Sequence, residues 1–214
     1  MKIIILILYI SALSSSEYIY IKSSITQEIK IRMIKGGSWR KSCPVDLTKL
    51  RYLQVTYQDF HDKSQIGELI VHEEVIQSVI KIFEELYTIK YPIHQMKLVA
   101  DFKGSDYQSI EADNTSALNC RKMTTNKNKW SNHAYGRAID INPIENPYIS
   151  RKGYIAHERS LKYKKRLHNK NGDIADKAIL LKNDKATKIF KKYGWSWGGD
   201  WKYTKDYQHF EFKK

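Results

Sequence analysis

The chain has 214 residues, 42% hydrophobic and 28% charged, with only 10 Gly and 4 Pro. That balance excludes a collagen, a coiled coil, a multi-span membrane protein and a disordered chain, and it suits one folded domain. The 37 Lys and Arg against 23 Asp and Glu leave a formal net charge of +14, a field that attracts polyanions without dictating a fold.

Met1-Lys2, the apolar run from Ile3 to Leu13 and the small residues Ser14-Ser15-Ser16 read as a secretory signal peptide over residues 1–16. The run is short for a permanent span; the alternatives are an uncleaved anchor or a buried N-terminal helix. Export would place the chain in the periplasm, the cell wall or the extracellular space. There Cys43 and Cys120 either bridge or stay separate buried thiols. Two cysteines cannot build a four-Cys zinc site, so any metal must use His and carboxylate. Residues 17–45, polar and weakly periodic, read as an N-terminal extension, mobile ahead of a domain at 46–214.

Arg51 to Tyr57 alternates like a strand, Asp62 to Gly67 supplies turn residues, and Glu68 to Val71 returns, which predicts a hairpin with a long loop. From Glu73 the apolar residues Val75, Ile76, Val79, Ile80, Phe83 and Leu86 fall at helical spacing, and Pro92 closes that helix. Lys97 to Phe102 reads as a strand, and 104–130 as loop with a short helix. Ala138 to Asn142 is a short strand stopped by Pro143. Residues 151–193 hold 14 Lys and Arg against 4 Asp and Glu; such a stretch is either a solvated face or a dock for an anionic polymer. Ala186 to Tyr193 reads as a helix ended by Gly194, and Tyr207 to Phe212 as a strand. The pattern is α+β: a single domain with an antiparallel sheet.

Two clusters carry chemistry. One runs Ser131-Asn-His133-Ala-Tyr-Gly136-Arg-Ala-Ile-Asp140; the other contains Asp206-Tyr-Gln-His209. Two imidazoles and one carboxylate form a three-ligand set for catalytic zinc with one position open. Gly136 can bend the chain so that His133 and Asp140 face one point. Asp206, three residues before His209, stands where a general base belongs. Each His–Asp pair is equally compatible with a surface pair or a satisfied core histidine. His61, His72, His94, His157 and His168 lack a second ligand-like partner and read as accidental. Trp195, Trp197, Trp201 and Tyr203 are either core or the wall of a binding groove; Trp197 is the candidate substrate contact. Ser131 either meets substrate or caps the turn before His133.

Ser131-x-His-x-x-Gly-x-Ala-x-Asp140, followed by Asp206-x-x-His209, resembles the paired signature of the M15 zinc peptidases. The flanking Gly104-Ser-Asp, Asn114-Thr-Ser-Ala and Trp197-Gly-Gly-Asp-Trp look like its carboxypeptidase-like branch, over about Leu50 to Phe212. The resemblance implies a fold of the hedgehog/D,D-peptidase type, a zinc ion (Zn2+) on His133, Asp140 and His209, and Asp206 as the catalytic base. Relatives often carry Glu at that base position. They also carry an upstream Arg for the oxyanion; Arg121 is the candidate, although its familiar context is absent. The implied activity is hydrolysis of a peptidoglycan stem-peptide bond, D-alanyl-D-alanine carboxypeptidase first and L-alanyl-D-glutamate endopeptidase second. A non-catalytic wall-binding module is the rival reading. Nucleic acid is not expected as a partner, an anionic wall polymer is a candidate one, and the domain is expected as a monomer.

Overall fold

A computed structural model of the chain describes residues 17–168 and 172–213; the leader read at 1–16 lies outside the described residues. In chain order the elements are β1 (Tyr20–Ser24), α1 (Gln27–Lys35), β2 (Leu50–Gln58), β3 (Ser64–His72), α2 (Ile76–Thr88), β4 (Gln95–Met96), α3 (Asp106–Glu111) and β5 (Asn114–Thr115). They continue with β6 (Ala138–Asp140), β7 (Tyr148–Ile149), α4 (Ile174–Lys177), α5 (Lys185–Lys192), β8 (Trp195–Trp197), β9 (Lys205–Asp206) and β10 (His209–Phe212). The mixed α+β expectation holds. Two three-stranded antiparallel sheets, β1-β2-β3 and β6-β10-β8, share the molecule with two short strand pairs. Among the described residues no helix is long and apolar enough to cross a membrane.

The β2–β3 hairpin forms as the alternation predicts, in register from Leu50 opposite His72 to Gln58 opposite Ser64. Its loop is shorter than expected. Asp59 Oδ1 accepts the backbone N–H groups of His61 and Lys63, and Asp62 takes a left-handed φ of 58°. Gly67 therefore lies inside β3, where a side chain would collide with Met96. The apolar stripe of α2 buries Val79, Ile80, Ile82, Phe83 and Leu86, each side chain contributing about 1.5–3 kcal/mol. The helix stops at Thr88, ahead of Pro92, and Lys90 at φ 53° turns the chain out. The same core takes in Phe190 of α5, whose ring stacks on Phe210 of β10 at 3.8 Å, so the two sheets share one apolar interior.

Two readings are corrected. The stretch 17–45 is not a mobile lead-in. β1 pairs with β2 along its whole length, and α1, capped by Thr26, buries Ile29 and Met33. Weak periodicity hid it because only one narrow side of each element is covered. Lys97 to Phe102 is not a strand, since Val99–Phe102 is a 3-10 turn. The Asn114 side chain takes both the N–H and the C=O of Lys97 (2.8 and 3.0 Å), bonds that a strand neighbour would otherwise use.

Cys43 and Cys120 form a disulfide with their Cα atoms 5.8 Å apart. It ties the loop after α1 to the residue that precedes Arg121.

Candidate active site

Ser131 opens the first cluster: its Oγ accepts the N–H of His133 at 3.3 Å and caps the 3-10 turn Asn132–Tyr135. Gly136 ends that turn at φ 68°. A Cβ there would lie 2.8 Å from the backbone nitrogen of His72, so only glycine lets the turn dock on β3, where its carbonyl accepts the His72 N–H at 2.8 Å. The chain then enters β6. β10 runs antiparallel to it with His209 directly opposite Asp140. Register alone thus brings together residues 69 positions apart.

Three ligand-type atoms converge. His133 Nε2 lies 3.1 Å from His209 Nδ1 and 3.2 Å from Asp140 Oδ2, and His209 Nδ1 lies 3.1 Å from Asp140 Oδ1. All three residues are buried, and this set could hold a metal ion. Ligands about 2.0 Å from a tetrahedral zinc stand about 3.3 Å apart, close to these separations. Proton placement fits a cation as well. His133 Nδ1 meets the carbonyl of Ala117 at 2.6 Å, so in the neutral ring that nitrogen carries the proton and Nε2 turns inward bare. His209 Nε2 faces the Glu211 carboxylate at 3.4 Å, which leaves Nδ1 inward and bare. Two lone pairs and a carboxylate aimed at one point form an anionic nest. Burial opposes ionisation of Asp140, yet His133 and His209 hold its pKa well below the usual carboxylate range. Burial lowers the His209 imidazole, but Asp140 and Glu211 outweigh it and raise it to about 10. The nest therefore takes up a proton where no metal sits.

His133 and His209 line a cavity of about 390 Å³ that also exposes Arg121, Ser131, Trp201, Asp206 and Glu211. Asp206 comes from β9, paired to Tyr148 of β7. Gly198 permits this: a Cβ there would lie 2.9 Å from the Asp206 Cβ. Asp206 Oδ1 is buried and has no hydrogen-bond partner among the described residues. Burial pushes its pKa well up; His209 pulls it down and Asp140 pushes it further up. A carboxylate so placed is a good proton acceptor for a molecule entering the cavity. Arg121 bonds Asp106 Oδ1 through Nε at 2.8 Å, which fixes its guanidinium in the wall.

Trp197 is a correction. It is buried in the core, donating Nε1–H to the Tyr207 carbonyl at 2.8 Å, and it is not among the cavity residues. In β8, Trp195 and Trp197 share one face, and β10 sets Phe212 and Phe210 opposite them, so both indoles point inward. The 3-10 turn Gly198–Asp200 re-aims the chain, and Trp201 becomes the wall, its ring centroid 5.5 Å from that of His209. Ser131 both caps the turn and borders the cavity. Three cavity residues were missed or set aside. Glu211 shares the His209 side of β10 by strand parity, a signal present in the sequence. Tyr107 stacks on His157 at 4.5 Å, and His157 pairs with Glu111 at 2.6 Å; nothing local announces this pairing across 46 positions.

Residues 124–212 match the family model described as D-alanyl-D-alanine carboxypeptidase, of the M15 peptidases. Over that stretch, less than half of the chain, the sequence is similar to the M15 peptidases. The matched stretch contains His133, Asp140, Asp206 and His209, and it begins after Arg121. No curated protein and no solved structure matches the chain.

Proposed function

We propose that this chain is an exported zinc peptidase that hydrolyses a bond of the peptidoglycan stem peptide, removal of a terminal D-Ala being the first reading. The observation that carries it is the convergence of His133 Nε2, His209 Nδ1 and the Asp140 carboxylate within 3.1–3.2 Å, where the two imidazoles line a cavity that also holds Asp206, whose Oδ1 has no hydrogen-bond partner among the described residues. When bound, zinc polarises the scissile carbonyl and lowers the pKa of water. Asp206 takes the proton of the attacking water on its carboxylate and delivers it to the leaving amine. Arg121, held by Asp106, directs a guanidinium edge at the oxygen on which charge develops. Trp201 shields the cavity side of His209 from bulk water. The M15 match and its description favour the carboxypeptidase. The disulfide suits an oxidising compartment, and the basic stretch 151–193, which supplies Ile155 and His157 to the cavity, suits an anionic polymer.

One observation favours an endopeptidase as the second reading. Among the described cavity residues Arg121 is the single Lys or Arg, and its Nε is already engaged by Asp106. A carboxypeptidase needs a cation for the free terminal carboxylate; an endopeptidase does not. A wall-binding module without activity is disfavoured because the base and all three ligand positions are present.

Incubation of the chain with purified muropeptides, with and without chelator, and mass analysis of the products test this. Loss of one alanine, abolished by chelation and restored by zinc, supports the first reading. A cut between L-Ala and D-Glu supports the second. No cleavage by a folded, zinc-loaded chain overturns both.

A further inference from the structure

His209 offers two ring nitrogens, and they face different partners. Nδ1 faces His133 and Asp140, while Nε2 points away, toward Glu211 Oε2 at 3.4 Å. Glu211 is itself held from two directions. Asn132 Nδ2 donates to Oε2 at 2.5 Å, and the Lys213 ammonium lies 3.1 Å from Oε1. The side chain is 10% exposed, so its rotation is restricted by packing as well as by these bonds.

The topology gives these contacts meaning. Glu211 and His209 lie two residues apart on β10 and share a face. Asn132 belongs to the turn that carries His133. The chain Asn132–Glu211–His209 therefore links the turn that positions one imidazole to the strand that positions the other. His133 has its own restraint in the Ala117 carbonyl at 2.6 Å. Both rings thus meet an outward acceptor, one a backbone oxygen and one a carboxylate.

We infer that Glu211 is a positioning residue that fixes the tautomer and rotation of His209, so that Nδ1 rather than Nε2 is presented to the metal. The inference rests on the metal reading above. An acceptor on the outer nitrogen holds the proton there and keeps the inner lone pair free; removing such a partner costs about 10–100-fold in metal affinity. Asn132 and Lys213 keep Glu211 from rotating away, and Asn132 passes the restraint to the His133 turn.

The test is the zinc dissociation constant of the full chain, by competition with a chromophoric chelator, for the wild type, Glu211→Ala, Glu211→Gln and Asn132→Ala. Thermal unfolding of each metal-free sample reports the fold. Glu211→Ala is expected to weaken zinc binding about 10–100-fold. Glu211→Gln is expected to restore most of that, because its amide oxygen accepts the same N–H. Asn132→Ala should weaken binding by a smaller factor. A purely structural role would lower the unfolding temperature and leave the affinity of the folded variant unchanged. Affinity within twofold of wild type for folded Glu211→Ala overturns the inference. Should that variant not fold, Asn132→Ala decides in its place, and unchanged affinity there overturns it. A wild type that binds no zinc fails the metal reading itself, which separates the two failures.

Discussion

His209 Nδ1 sits 3.1 Å from Asp140 Oδ1 because the two residues face each other across the antiparallel pair β6–β10. The cross-strand register, not the local chain, sets this distance. Asp140→Asn keeps the packing and removes the negative ligand. It should reduce zinc affinity by about 100-fold or more, exceeding the loss from an outer-sphere partner. Metal analysis after dialysis checks it, and stoichiometric zinc in the variant would remove Asp140 from the ligand set.

Asp206→Asn separates catalysis from binding. The side chain keeps its shape and loses its basicity, so zinc content should stay at the wild-type level while kcat falls about 10²–10⁴-fold. Parallel metal analysis and turnover on muropeptides decide. Zinc lost together with activity would make Asp206 a ligand.

Asp113 and Glu145 form a buried acid pair. Each carboxyl perturbs the other, and Asp113 Oδ2 and Glu145 Oε2 are both buried with no hydrogen-bond partner among the described residues. One proton must be shared. Burial, and then the Asp113 charge, raise Glu145 far above its ordinary 4.5. A carboxyl raised by folding binds its proton more tightly in the native state. Its stabilisation is complete below the unfolded value and is lost as pH rises through the folded one. Wild-type stability should therefore decline from about pH 5 to about pH 9. Glu145→Gln, a permanent donor, should match it near pH 5 and melt about 4 °C or more higher near pH 9. Parallel melting curves across that range would refute the shared proton.

The Cys43–Cys120 bridge closes a span of 77 residues and precedes Arg121 directly. Replacing both cysteines with serine should cost about 2–4 kcal/mol of stability. Denaturant unfolding of the double variant measures it. A change below about 0.5 kcal/mol, the usual range for a surface substitution, would show the bridge to be dispensable.

The sequence by itself determined the residue types of the site, the β2–β3 hairpin, the α2 stripe and the turn at Gly136. Each depends on neighbours within a few positions, where period and glycine placement act directly. His133, Asp140, Asp206 and His209 were legible because each stands in a short run of fixed spacing. The wall was not: Tyr107 with His157, and Trp201 in place of Trp197, follow from which face of a strand meets the core and where a 3-10 turn re-aims the chain. β1, α1 and the 3-10 turn at Val99–Phe102 likewise depend on partners far along the chain, Val55 for Tyr20 and Asn114 for Lys97. Local periodicity reports how a segment divides its own faces between apolar and polar. Which face is covered, and by what, is fixed only when distant segments pair, and tertiary structure alone decides that.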